Sequence, residues 1–97
     1  MSNFDYVMMM VMQANILHEK SYNVLCVEDE YERYILTADW YEGAPVLYIS
    51  YDNVQGDEYI YYEAKEVNKQ EIISLLDVWQ DIASSFGYIV RFNVEED

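Results

Sequence analysis

Residues 28–63 read EDEYERYILTADWYEGAPVLYISYDNVQGDEYIYYE, and this stretch decides the fold. It carries ten carboxylates and one base, Arg33, with eight tyrosines and Trp40 between them. Aromatic and β-branched side chains pack well on a pleated surface, so their density predicts strands rather than helix. The segments alternate and are broken by turn signals at 42–45 and 53–56, each containing a glycine. Strands are expected at 31–40, 46–52 and 57–64, with 28–30 forming an acidic turn. In the first of these, Tyr34, Leu36, Ala38 and Trp40 share one face. Arg33, Thr37 and Asp39 share the other, with Tyr31 and Ile35.

Upstream, residues 22–27 read as one more strand, and Cys26 within it is expected to be a buried structural thiol. Further upstream, Ser2 and Asp5 resemble a capping box that opens a helix over about 3–19. Phe4, Val7, Met8, Val11 and Leu17 follow helical spacing, but Met9, Met10 and Met12 make this helix apolar almost all round. Such a helix is buried on more than one side. The flexible thioethers suit either a core or a second subunit. A domain this small has little material to cover both faces, so a homodimer through this Met-rich helix is the favoured expectation.

Downstream, Val67-Asn68-Lys69-Gln70-Glu71-Ile72 is a helix start. Asn68 caps, Glu71 is placed to reach back, and Val67 is placed to staple onto Ile72. The helix is expected to run to about Phe86, with Gly87 stopping it. Ile72, Leu75, Leu76, Trp79, Ile82, Ala83 and Phe86 form one apolar stripe, which predicts that the helix lies across the sheet. Residues 88–94 read as a last strand. The whole is expected to be one domain over 1–97. Its class is α+β: an antiparallel sheet of four to five strands, with an N-terminal and a C-terminal helix packed on one face.

The chain holds 19 acids against 5 bases, a formal charge of −14, yet 53% of its residues are hydrophobic. That composition is not a disordered one. Such charge opposes compaction while keeping a protein soluble, so something other than folding favours it. Phosphate backbones would be repelled, so no direct nucleic-acid binding is expected and the partners should be cationic. The apolar run 6–12 falls short of the ~20 residues that span a bilayer, so no membrane role is expected. It also lacks the flanks of a signal peptide, and with a single cysteine the expected compartment is the cytoplasm.

No catalytic set is legible. His18 is the only histidine, and no Ser-His-Asp set, Gly-rich phosphate loop or zinc spacing accompanies it. Glu28-Asp29-Glu30 offers oxygen ligands of a kind suited to Ca²⁺, but without EF-hand spacing. Neither enzyme nor cofactor nor metal site is expected. The remaining readings are a solvated acidic surface, an immunity protein or antitoxin that blocks a basic partner, and phosphate mimicry. Carboxylates on neighbouring strands and turns approximate part of a duplex's charge array, and tyrosines between them supply flat apolar area at low entropy cost. The phosphate-mimicking, partner-binding candidates are Glu28, Asp29, Glu30, Glu32, Asp39, Glu42, Asp52, Asp57, Glu58 and Glu63, extended by Asp77 and Asp81 one helical turn apart.

Four segments carry a resemblance: FDYVMMM at 4–10, DEYERYILTADW at 29–40, GDEYIYYEA at 56–64 and VWQDI at 78–82. In these, and in size and charge, the chain resembles phage anti-restriction proteins that imitate DNA, most of all the Arn family of T-even phages. The resemblance is diffuse, spans most of the chain and carries no short invariant motif, so no residue role transfers with it. It implies a cytoplasmic, dimeric phage protein that occupies the DNA site of a host restriction endonuclease of the McrBC type. Uracil-DNA glycosylase inhibitors and some anti-CRISPR proteins share the composition.

Overall fold

The computed structural model describes Met9 and residues 22–88. The expected N-terminal helix over 3–19, with its dimer contact, and the last strand over 88–94 lie outside the described residues, apart from Met9 and Tyr88. Four strands follow one another: β1 (Tyr22–Glu28), β2 (Glu32–Tyr41), β3 (Ala44–Asn53) and β4 (Glu58–Glu63). They form an antiparallel meander in the order β1-β2-β3-β4. One helix, α1 (Lys69–Ser85), packs on one face of the sheet. The α+β expectation therefore holds for the described residues, with four strands and the C-terminal helix.

Each turn has a chemical reason. Asp29 closes the β1–β2 connection: its Oδ1 accepts from the backbone N–H of Tyr31 at 2.8 Å and of Glu32 at 2.9 Å. Glu42 and Gly43 close β2–β3 with φ of 49° and 82°, the left-handed pair of a type I′ hairpin turn. Asn53 organises β3–β4, its Oδ1 accepting from the N–H of Gln55 and of Asp57. The first and third turns lie at the same end of the meander. They are joined there by a hydrogen bond from Val54 N–H to the Tyr31 carbonyl, 3.2 Å.

Two bulges reset the alternation. In β1 the register shifts between Asn23 and Leu25. In β4 Tyr62 faces Ile49 and Ile60 faces Ser50, which leaves Tyr61 as the extra residue. The helix-side face thus carries Val27, Tyr34, Tyr51 and Tyr59 in one cross-strand row, and Leu25, Leu36, Ile49 and Tyr62 in the next. The opposite face carries the rows Glu28-Arg33-Asp52-Glu58, Cys26-Ile35-Ser50-Ile60 and Asn23-Thr37-Tyr48-Glu63.

The core is the meeting of α1 with the helix-side face. Leu36, Ala38, Leu47 and Ile49 are fully buried beneath Ile72, Leu75, Leu76, Trp79 and Ala83. Each large side chain buried there contributes roughly 1.5–3 kcal/mol. Helix α1 starts as its sequence predicts, with Asn68 Oδ1 accepting from Glu71 N–H at 3.0 Å and Val67 packed on the core. The reciprocal half of the capping box does not form. The Glu71 carboxylate reaches the Lys65 N–H instead, while the Asn68 N–H donates to the Glu66 carbonyl. The helix ends in a Schellman motif. Gly87, at φ 85°, donates to the Ser84 carbonyl, and Tyr88 N–H donates to that of Ala83. Tyr88 therefore belongs to the helix stop and not to a strand.

An L-residue with a Cβ in the left-handed region costs roughly 1–2 kcal/mol, and Glu42 occupies that region. Asn tolerates it better and Asn-Gly is the favoured type I′ pair. Glu42→Asn should stabilise the protein by about 1 kcal/mol and raise Tm by about 4–8 °C. An unchanged or lowered melt by circular dichroism would contradict the turn assignment.

Candidate functional site

The fold sorts the twelve candidate carboxylates into three groups. Seven collect at the end of the sheet where the first and third turns meet: Glu28, Asp29, Glu30, Glu32, Asp52, Asp57 and Glu58. Asp39, Glu42 and Glu63 lie towards the other end, around the β2–β3 turn and the end of β4. Asp77 and Asp81 are exposed on α1, on the far layer. The sequence alone treated the twelve as one array. The meander separates them because its turns alternate between two ends of the sheet.

Their partners differ as well. Glu28, Glu30, Glu58 and Glu63 are exposed and carry no hydrogen bond or ion pair among the described residues. Asp29 and Asp57 work inside their own turns: Asp29 caps the first, and Asp57 Oδ2 accepts from Asn53 Nδ2 at 3.0 Å. Glu32 points to the helix side, where it acts electrostatically on the Tyr51 hydroxyl. Asp52 is held by Arg33 through two contacts, Nη2 to Oδ2 at 2.6 Å and Nε to Oδ1 at 3.2 Å. The hydrogen bond and charge of Asp52 push the Arg33 guanidinium still further toward its charged form. Arg33 pairs across the ladder with Glu28 on one side and Asp52 on the other, so the row holds one cation among three anions.

Cys26 corrects a sequence expectation. It is exposed on the face away from α1, not buried. The bulge in β1 turns it outward, and periodicity alone could not place that bulge. Desolvation by its apolar neighbours and the charge of Glu28 raise its pKa, and Arg33 opposes them. Among the described residues no group of three His, Cys, Asp or Glu side chains converges to hold a metal ion. No described helix is long and apolar enough to cross a membrane.

At the two acidic ends and between them the sheet presents aromatic and apolar surface. Tyr31, Tyr41, Tyr59 and Tyr61 are exposed, as are Val54 and Ile60. On the helix side a tyrosine cluster forms around Tyr34. Its ring centre lies 4.9 Å from Tyr51, 5.3 Å from Tyr61 and 5.9 Å from Phe86, and Tyr51 lies 4.9 Å from Tyr59. These are tilted and edge-on contacts, which favour aromatic pairs. Asp81 borders the same cluster, beside Tyr34 and Tyr61. The sequence offered the tyrosines as flat apolar area between the acids. It did not show that four of them stack into one platform, because the bulge at Tyr61 creates that contact.

The chain matches no known protein-family model, no curated protein sequence and no solved structure.

Burial, followed by the charge of Glu32 and the neighbouring tyrosines, pushes the Tyr34 hydroxyl up from 10.0 to about 12. A raised folded-state pKa contributes stability that is complete below the unfolded value and lost as pH rises through the folded one. Tyr34 should therefore titrate late by tyrosinate absorbance, and stability should fall between pH 10 and about 12. In Tyr34→Phe that part of the fall should vanish. An equally steep fall in the variant would show that Tyr34 is not the group responsible.

Proposed function

We propose that this protein is a non-catalytic DNA mimic. It would occupy the DNA-binding site of a basic partner, a restriction endonuclease of the McrBC type or a related DNA-binding defence protein, in the cytoplasm. The observation that carries the reading is the joining of the two acidic turns. The Val54–Tyr31 hydrogen bond and the Asp29 and Asn53 caps hold seven carboxylates at one end of a packed sheet. Preorganised anions lose little on binding, so a rigid array competes well with a flexible polynucleotide.

Spacing supports the same reading. On the face away from α1, Glu63 lies four ladder positions from the Glu28-Asp52-Glu58 row, and Asp39 lies six from Arg33. At ~3.3 Å per residue those offsets are ~13 Å and ~20 Å. The width of a major groove between its phosphate walls is ~12 Å. Two anionic borders flank a floor of Cys26, Ile35, Ser50 and Ile60, an arrangement like two phosphate walls about a groove of bases.

Local costs point the same way. Glu42 occupies a left-handed turn position that Asn fills better. Asp77 and Asp81 form a like-charge pair one helical turn apart, and the last turn of α1 has no basic residue. Such a pair costs ~0.2–0.5 kcal/mol, and an acid near a helix C-terminus opposes the macrodipole. A chain selected for folding alone would not keep these acids. The resemblance to the Arn family, carried by 29–40 and 56–64 among other segments, implies the same class of target.

Two experiments test this. A fluorescent duplex bound to a McrBC-type nuclease should be displaced by the protein in proportion to its amount, less effectively as salt rises. The triple variant Glu28→Lys, Glu30→Lys, Glu58→Lys should lose displacement while keeping its melt, because none of those three side chains holds the fold together. Binding that leaves the DNA in place would instead mark an exosite inhibitor of the immunity-protein kind. Separately, Asp81→Lys should raise Tm by relieving the helix while weakening displacement. A variant that is more stable and fully active would remove Asp81 from the surface.

A further inference from the structure

A concave site lies on the sheet face away from α1, at the end opposite the two joined turns. It has a volume of about 340 Å³, and its walls include Asp39, Tyr41, Val46, Tyr48, Ile60 and Glu63. Three strands build it. Asp39 of β2 pairs with Val46 of β3, and Glu63 of β4 pairs with Tyr48 of β3. Val46 and Tyr48 are two residues apart on the central strand, so the two acids stand diagonally across it. Their Cα atoms are roughly 12 Å apart by strand geometry. The β4 bulge brings Ile60 and Glu63 to the same face despite their odd spacing.

The lining combines two features that seldom coincide on an acidic surface. The floor is apolar and aromatic, with Ile60 and Tyr41 well exposed. The borders are anionic, and the nearest described base in sequence, Lys65, does not line the site. The Asp39 carboxylate has one oxygen fixed by the Trp40 N–H at 2.7 Å, which orients the group. The Tyr48 hydroxyl is held neutral by burial and by the charge of Asp39.

We propose that this groove receives a single arginine side chain from a basic partner, its guanidinium lying on the Tyr48 ring between Asp39 and Glu63. An ammonium is strongly hydrated and prefers water to an apolar floor. A guanidinium is planar, more weakly hydrated, stacks on aromatic faces and pairs in-plane with carboxylates. The groove therefore selects arginine over lysine, whereas the cleft at the joined turns has Arg33 among its lining residues and is the poorer site for a cation. The inference rests on the reading of this protein as a binder of basic proteins, and it names the chemistry of one contact in that complex.

The test is an amide chemical-shift titration of the full chain with two blocked tripeptides, acetyl-Gly-Arg-Gly-amide and its lysine counterpart. The arginine peptide should shift Val46, Tyr48, Ile60 and Glu63, and bind about threefold or more tighter than the lysine peptide. D39N with E63Q keeps the Trp40 hydrogen-bond acceptor and removes both charges. It should weaken arginine binding by about fivefold or more, since each exposed charge pair contributes up to about that factor. Tyr48→Leu should abolish the preference for arginine without abolishing binding, and Ser84→Ala, exposed on α1, should change neither. Equal binding of both peptides, or shifts spread over both acidic ends, would overturn the proposal. If the protein displaces DNA from a nuclease but shows no arginine preference, the groove fails and the DNA-mimic reading stands. If arginine binds the groove but DNA is never displaced, the mimic reading fails and the groove stands.

Discussion

One hydrophobic contact has to hold a shell of strong like charge together. The stripe of α1, from Ile72 to Ala83, lies on Leu36, Ala38, Leu47 and Ile49, and the described core is that contact with Val24 and Val27 at its edge. Most of the fixed carboxylates repel one another around it. Among the described residues the ion pair of Arg33 with Asp52 is one local relief. The rest of the design follows from this imbalance. Turns are closed by side-chain caps, the helix is capped at both ends, and the tyrosines pack edge-on, so the order of the sheet leans little on charge pairing.

Much of the fold was legible in the sequence. The stripe of α1, the Asn68 cap and the Gly87 stop could be read residue by residue, because helix signals are local. The β2–β3 hairpin was legible from glycine and spacing, and the observed strands differ from expectation by one or two residues at their ends. Some chemistry was read only in part. Glu71 was placed to complete a capping box, yet the loop before the helix offered it a different donor at Lys65. Tyr88, grouped with a last strand, supplies an N–H to the helix stop instead.

The surface was less legible than the fold, and the bulges are the physical reason. A period of two assigns each strand residue to a face only while the register is unbroken. One extra residue in β1 turns Cys26 outward, and one in β4 puts Ile60 and Glu63 on the same side. Composition identified the acids but could not tell a free carboxylate from one spent on its own turn. Glu28, Glu30, Glu58 and Glu63 are of the first kind, while Asp29 and Asp57 are of the second. The division into two ends also follows from chain direction, since a meander sends successive turns to opposite edges.

Among the described strands β4 forms one border of the sheet, with Tyr59, Ile60 and Tyr61 all substantially exposed along it. A border of that kind, short, aromatic and β-prone, is a template for joining to another copy of itself wherever its backbone is open. Glu58 and Glu63 stand at its two ends and act as gatekeepers, because two such borders brought together would set like charges against each other. Negative charge at these two positions thus guards colloidal behaviour. Replacing both glutamates with uncharged residues would lift that guard and leave the aromatic border free to seed aggregates.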